Sequence, residues 1–374
     1  GIIGCGNIST AYLTLAKLYP GLKVVACADV LPEAARARAE AHGIRAESVE
    51  SILGDDAIEV IVNLTVPAAH YEISVAGLEA GKHVYSEKPL ALTYKEAKSL
   101  VDLADARGLA LGGATDTFLG GAAQTARRLI DDGAIGRVIA GTCQFINHGM
   151  EEWHPSPTFF YRPGGGPVFD MGPYYISSLI NLIGPVKGVT AIASKGFEER
   201  VIGSGPQAGQ PIPVLTPTTV NAIIEFHSGA QVTYAASWDV WRNGHDNPIE
   251  LYGVDGTMLV PDPNYFGGVV AFSERDGEYA EVDASDQPFA AINWPVDNPT
   301  LGNYRMLGVA DMVDAHARGR MPRCSGRMAA HIVEVMESIL TAAAEGRYVT
   351  ITSQIDRPAP MTAEDAARLT GSGA

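Results

Sequence analysis

Lys88 is the residue of this chain whose surroundings point most directly to chemistry. It lies in His83-Val84-Tyr85-Ser86-Glu87-Lys88-Pro89, where an apolar strand ends in a Glu-Lys pair fixed by a proline. In an open parallel sheet, ligands bind in the crevice beyond the carboxyl ends of the strands. A lysine there can reach a substrate oxygen, and its pKa responds to its surroundings. A second group lies in Gly164-Gly165-Gly166-Pro167-Val168-Phe169-Asp170-Met171-Gly172-Pro173-Tyr174. Asp170 and Tyr174 are four apart and share one face if the stretch is helical. Ammonium, carboxylate and phenol together would serve proton transfer at an alcohol or carbonyl oxygen. Each also has an ordinary reading: a strand end for Glu-Lys-Pro, and a helix cap for Asp170 with Pro173 in the first turn.

The elements before Lys88 give that position its meaning. Residues 1–3 read as the end of a buried strand, followed by Gly4-Cys5-Gly6-Asn7-Ile8-Ser9. This is the G-x-G opening of a dinucleotide fingerprint, with Ser9 at the third glycine position. Gly4 makes the turn, Gly6 admits a pyrophosphate, and a helix over 8–17 points the amides at Asn7 and Ile8 toward it. A second strand, 22–28, ends in Asp29, where a carboxylate accepts hydrogen bonds from the adenosine ribose and repels a 2′-phosphate. Arg36 and Arg38 lie farther along the next helix, so the pattern favours NAD over NADP. Strand 58–64 runs into Thr65-Val66-Pro67-Ala68-Ala69-His70, a turn beside the cofactor. Thr65, Pro67, His70, Glu87 and Lys88 complete the candidate cofactor contacts, although His70 reads equally well as a helix-start residue without a ligand. Helix 71–80, a capping box at Thr93 and Glu96 opening a helix to 107, and a strand at 109–112 complete a doubly wound parallel sheet over residues 1–117.

From residue 118 the texture changes. A helix at 122–132 precedes strands that follow one another without intervening helices, at 219–226, 231–235, 249–253, 258–260, 269–273 and 278–283. His227-Ser228-Gly229-Ala230 is a hairpin signal between the first two. This predicts a second domain over 118–374, an α/β unit with a largely antiparallel sheet that packs one face on helices. The other face calls for a cover, for which a second subunit is the simplest candidate. Helices at 303–318 and 325–344 close the domain, and the tail from Pro358 reads as loose. His148, Trp153, His154 and Arg162 lie in the loop before the glycines, and Trp241 and His245 follow a strand end. They form a candidate polar and aromatic lip for a substrate. Glu151 and Glu152 share that loop, but the spacing matches no standard metal set, so no metal is expected. Trp238 reads as sheet packing and His331 as structural.

Composition narrows the partners. The 374 residues carry a net charge of −16, which argues against nucleic acid and anionic membrane. No apolar run reaches the length of a membrane span. Cys5, Cys27, Cys143 and Cys324 are scattered, which fits a reducing cytoplasm. The chain opens directly on a strand rather than on a leader, and that strand reads as clipped, since it lacks an initiating Met.

Taken together, Gly4-Cys5-Gly6-Asn7-Ile8-Ser9, Glu87-Lys88-Pro89, Asp131-Asp132-Gly133-Ala134-Ile135-Gly136, Gly164-Gly165-Gly166 and Asp170-x-Gly172-x-Tyr174 resemble the glucose–fructose oxidoreductase and inositol dehydrogenase (Gfo/Idh/MocA) family over nearly the whole chain. The resemblance implies a Rossmann domain plus an α/β domain whose open, mostly antiparallel sheet supports dimers or tetramers. It implies NAD(P)-dependent oxidation or reduction of sugars, polyols and related secondary alcohols. Lys88 would then be the catalytic lysine and Asp170 the carboxylate that orients it or the substrate. Tyr174 stands where many sugar and inositol dehydrogenases carry histidine, so Tyr174 and Lys88 would share the proton shuttle while Asp170 holds the geometry. The expectation is an NAD-dependent dehydrogenase of a sugar, glycoside or cyclitol. The alternatives are an enzyme that retains NAD and cycles it (a sugar–sugar oxidoreductase or a glycosidase), and a non-catalytic sugar or nucleotide sensor.

Overall fold

Short apolar strands alternating with helices build the first unit. The computed structural model describes residues 1–154, 156–295 and 302–372. In chain order the unit runs β1 (Ile2–Ile3), α1 (Ser9–Leu15), β2 (Ala26–Ala28), α2 (Pro32–His42), β3 (Arg45–Ala46), α3 (Val49–Gly54), β4 (Val60–Asn63), α4 (His70–Glu79), β5 (His83–Ser86), α5 (Tyr94–Arg107) and β6 (Leu111–Gly113). The strands pair in parallel in the order β3-β2-β1-β4-β5-β6. The direction of winding reverses between β1 and β4, and the crevice of such a sheet opens at that switch point. Local signals set the helix ends. Pro32 opens α2, the Thr93 hydroxyl accepts from the Glu96 amide at the start of α5, and Gly43 and Gly108 close the two helices in left-handed conformation.

The second unit contains α6 (Gly121–Asp131), β7 (Val138–Ile146), α7 (Gly166–Ile183), β8 (Val186–Ser194), β9 (Glu199–Val201), β10 (Pro211–Pro213), β11 (Thr219–Phe226), β12 (Gln231–Ser237), β13 (Ile249–Gly253), β14 (Gly256–Val260), β15 (Ala271–Glu274), β16 (Ala280–Glu281), α8 (Leu307–Ala317), α9 (Gly326–Glu345), β17 (Val349–Thr350) and α10 (Ala363–Thr370). Its large sheet has the order β16-β15-β14-β13-β7-β12-β11-β8-β17, antiparallel except where β12 meets β7. Val220, Ala222, Ile224 and Phe226 of β11 alternate inward to the core, as a sheet covered on one face requires. Helices α7 and α9 cover that face. A side chain on Gly172 would meet Met336 of α9 at 3.1 Å and the Tyr234 hydroxyl of β12 at 3.5 Å. Gly172 is therefore a packing residue. Strands β9 and β10 form a separate arm over a small second core that includes Met150, Tyr161, Ile212 and Trp238.

Several expectations are corrected. Helix α7 begins at Gly166, so Pro173 is interior and Asp170 lies inside the helix rather than capping it. The glycine-rich run forms the helix entrance, with Gly165 at its N-cap. The tail from Pro358 is docked: α10 buries Leu369, Arg368 pairs with Asp314 at 2.8 Å, and Arg323 pairs with Asp365. Helix α8 starts at Leu307 rather than near 303, because Met306 takes a left-handed conformation. The strand expected over 278–283 is only the short β16. The last helices return to the first sheet, where the Gly113 amide donates to the Cys324 carbonyl at 3.0 Å and the Tyr19 hydroxyl to the Tyr304 carbonyl at 2.8 Å. One continuous hydrophobic core consequently spans both units.

Candidate active site

The site is built where β5 and β6 of the first unit meet α7 and the entrance to α8. Lys88 follows β5, and its Nζ donates to the Asp170 carbonyl at 2.6 Å and to Asp170 Oδ1 at 2.9 Å. Pro173 withholds one amide from the α7 ladder, close to the carbonyl that Lys88 uses. Two of the three ammonium hydrogens are thus engaged and one remains. The Nζ also lies 5.2 Å from the centre of the Tyr174 ring. Burial pulls the Lys88 pKa down, but the Asp170 carboxylate and Tyr174 outweigh it and hold it above the ordinary lysine value. Lys88 is a fixed cation at neutral pH.

Behind Tyr174 lies a pair that the sequence reading passed over. Arg305 donates through Nη2 to the Tyr174 hydroxyl at 3.1 Å and through Nη1 to Asp116 Oδ1 at 2.8 Å. The second Asp116 oxygen accepts from the Gly308 amide at 3.2 Å. Burial works against the Arg305 charge, but Tyr174, Asp116 and Glu87 hold its pKa above the usual arginine range. Asp116 follows β6 at its carboxyl end, a position where the sequence signals a ligand-facing residue. Arg305 had no comparable signal. Tyr12 was also missed: its hydroxyl donates to Glu87 Oε1 at 2.8 Å, while Glu87 Oε2 accepts from the Lys88 amide at 3.0 Å. Burial raises the Glu87 pKa, yet Arg305 and the Lys88 amide bring it below the ordinary value. Glu87 accordingly sets the backbone that presents Lys88.

The dinucleotide pattern folds as its spacing predicts. Gly4 has φ +103°, and a Cβ there would lie 2.5 Å from the Leu64 carbonyl, so the turn closes against the end of β4 only with glycine. Gly6 has open space in front of it, enough for a pyrophosphate to approach the backbone. Asn7 and Ile8 are exposed in the turn before α1. Asp29 follows β2, with Oδ2 accepting from the Cys5 amide at 2.7 Å and Oδ1 from Leu31 at 2.9 Å. Each carboxylate oxygen has capacity left for a ribose hydroxyl. These residues fit a nicotinamide dinucleotide. Arg38 is closer than the sequence suggested, with its guanidinium 3.4 and 3.5 Å from the carbonyls of Cys5 and Gly6. Thr65 donates through its hydroxyl to Asn63 Oδ1 at 2.7 Å, and Pro67 opens a short 3₁₀ turn. His70 is buried with Nδ1 2.7 Å from the Pro89 carbonyl and Nε2 2.9 Å from the Thr65 carbonyl. With both ring nitrogens facing protein carbonyls, it braces the two loops and has no polar atom left for a cofactor.

The proposed lip divides in two. His148 stacks on Trp241 with centroids 3.3 Å apart, and its Nε2 lies 3.2 Å from Arg200. Trp153, His154 and Phe159 form an edge-to-face cluster. His154 feels the Asp170 charge, although burial lowers its pKa. Arg162 and His245 are exposed and share no hydrogen bond with Lys88, Asp170 or Tyr174 among the described residues. Glu151 is buried, paired with Arg200 at 2.7 Å and accepting from Tyr161, so Tyr161 braces the loop. Among the described residues no set of three His, Cys, Asp or Glu side chains is placed to hold a metal ion. Trp238 and His331 are both fully buried, as expected of structural residues.

A Rossmann crevice facing a Lys–Asp–Tyr cluster defines a nicotinamide-dependent oxidoreductase. Residues 1–113 match the oxidoreductase family with an NAD-binding Rossmann fold, and residues 123–259 match the GFO/IDH/MocA C-terminal domain. The chain is 26% identical to levoglucosan dehydrogenase of Pseudarthrobacter phenanthrenivorans, covering 94% of this chain and 97% of that protein. It is 31% identical over 304 residues to dTDP-3,4-didehydro-2,6-dideoxy-alpha-D-glucose 3-reductase of Streptomyces violaceoruber, covering 78% and 82% of the two chains. The solved structure of levoglucosan dehydrogenase with NADH superimposes with a TM-score of 0.81 at 23% identity, over 95% of this chain and 99% of that one. The chain belongs to the Gfo/Idh/MocA family of NAD-binding oxidoreductases.

Proposed function

We propose that this protein oxidises a secondary alcohol of a sugar, glycoside or cyclitol with NAD, and that Lys88, Asp170 and Tyr174 carry the reaction. The dinucleotide, when bound, supplies the hydride acceptor. The carrying observation is the Lys88 ammonium, held by Asp170 with one hydrogen unspent beside the Tyr174 ring. That hydrogen binds the substrate oxygen and stabilises the alkoxide as it develops. Because Lys88 is a fixed cation, the proton moves through Tyr174, and Asp170 sets the geometry. The division of labour is sharper than a shuttle shared between lysine and tyrosine. An intact proton-transfer cluster argues against a mere sensor, which has no use for one. The relatives named for levoglucosan and for a dTDP-sugar support a carbohydrate substrate. We also place the protein in the cytoplasm, since its four cysteines are free and buried, and assign the open sheet face to a homodimer or homotetramer.

The test is NAD+ reduction across levoglucosan, monosaccharides, other glycosides and inositols, with NADP+ beside it. One stereochemical class should give a robust NADH signal. Lys88→Ala should lose at least about 10²-fold in turnover, the scale of a lost charge-stabilising donor, with NAD+ affinity nearly intact. Near-normal turnover in that variant would sink the assignment.

A further inference from the structure

We infer that Arg305 is the positioning residue of the proton-transfer step: it fixes the Tyr174 hydroxyl so that its hydrogen faces the substrate. The inference rests on the reading of Tyr174 as the group that moves the proton. A guanidinium has five N–H donors and no acceptor. With Arg305 Nη2 3.1 Å from the hydroxyl, the Tyr174 oxygen must accept there. Its own hydrogen must therefore point elsewhere, and among the described residues no other hydrogen bond to that hydroxyl exists. On the cleft side stands Lys88, 5.2 Å from the ring centre and likewise only a donor. A ligand oxygen is the acceptor that the arrangement leaves open. During carbonyl reduction, for which a bound reduced nicotinamide dinucleotide would supply the hydride, the carbon gains that hydride as the C=O π bond opens, the Tyr174 proton passes to oxygen, and solvent reprotonates the phenolate. Oxidation runs these transfers backwards.

Two further features mark the Arg305 position as costly to the fold. Arg305 is 6% exposed and Asp116 fully buried, and an ion pair so deeply buried is often matched or bettered in stability by apolar residues. The next residue, Met306, is held at φ 78°, a left-handed conformation that is strained for a residue with a long side chain. The fold thus accepts two unfavourable features to bring one guanidinium to one phenol.

The test is a double-mutant cycle of wild type, Arg305→Met, Tyr174→Phe and the double variant. Each is assayed with NAD+ and levoglucosan, or with the fastest sugar or inositol of the panel if levoglucosan is not turned over. Arg305→Met should lower kcat by about 10²-fold while leaving KM within a few-fold and NAD+ affinity unchanged. The double variant should be no slower than Tyr174→Phe alone, because both changes act on one hydrogen. Arg305→Lys, which keeps a cationic donor, should recover part of the rate. Multiplicative losses would overturn the inference and leave the Tyr174 reading standing. Full activity in Tyr174→Phe would remove that reading and the inference together. Should Arg305→Met fail to fold, neutron diffraction from the deuterated wild-type protein decides. A deuterium on the Tyr174 oxygen directed into the cleft is the expected result, and one directed at a protein acceptor overturns it.

Discussion

Asp29 shapes the glycine turn, and we propose that it also serves the cofactor. Its two oxygens already tie down the amides of Cys5 and Leu31, and each keeps capacity for the ribose hydroxyl of the proposed reading. Arg38 reaches the same turn, which leaves a guanidinium nearby once the carboxylate charge is removed. Asp29→Asn should therefore shift the ratio of kcat/KM for NAD+ over NADP+ by about tenfold or more toward NADP+, about 1.4 kcal/mol of discrimination. Steady-state kinetics with both dinucleotides measures it, and an unchanged ratio would refute the role of Asp29. This residue was legible in the sequence because strand, G-x-G, helix, strand and acid follow within about thirty positions. Lys88, Asp170 and Tyr174 were legible for the same reason, each within a short pattern. Arg305 was not, and Asp116 had only its place after β6 to mark it. Their link to each other spans 189 positions, and Arg305 reaches Tyr174 across 131. No local spacing carries contacts of that kind.

Among the elements, α9 is tied to its surroundings by a histidine that works only when neutral. His331 Nε2 accepts from the Val186 amide at 3.1 Å at the start of β8, and Nδ1 pairs with the Ser353 hydroxyl at 2.7 Å. Adding a proton to Nε2 would set one N–H against another. Burial, the larger cause, lowers the imidazole pKa from 6.5 to about 4. A folded-state pKa below the unfolded one means that the unfolded chain binds more protons between those values. The stability is then fully present above pH 6.5 and lost as pH falls toward 4, by about 3 kcal/mol at most. Urea midpoints measured between pH 7 and 4.5 should fall, and His331→Gln should be less stable at pH 7 with a flatter profile. A wild-type midpoint independent of pH over that window would contradict the account. The element pattern itself was readable where periodicity was clean, as along β11 and at the Thr93 cap. It failed at α10, although Thr362 caps that helix through the Asp365 amide at 3.1 Å. Eight residues rich in charge resemble solvated tail until their docking partners, Arg323 and Asp314, are in view.

For the whole molecule, the decisive surface is the outer face of the nine-stranded sheet. The register places Ile223 beside Thr190 and Thr233, Asn221 beside Ile192 and Ala235, and Thr233 beside Thr142. Ile192 is 77% exposed and Ile223 48% exposed. None of these side chains carries charge, on a chain whose net charge is −16, while Glu250 beside Thr142 and the paired Lys187 and Glu225 border the patch. A β surface with exposed isoleucines between uncharged neighbours suits a second copy of the same face, because a two-fold contact brings each patch onto its own equivalent. Like charges would otherwise repel across such a contact, so the absence of charge here matters more than the hydrophobicity of any one residue. Light scattering at micromolar concentration should give a dimer or a tetramer. Ile192→Glu with Ile223→Glu should shift it at least one step toward monomer with secondary structure unchanged, since both side chains point away from the core. The proposed active-site cluster is assembled within one chain, from the segments after β5 and β6, from α7 and from the segment before α8. Dissociation should accordingly leave NAD+ binding intact and reduce turnover only so far as the sheet supports α7 from behind. A wild-type protein that is monomeric at these concentrations would refute the assignment of this face, and would leave the reading of the active site untouched.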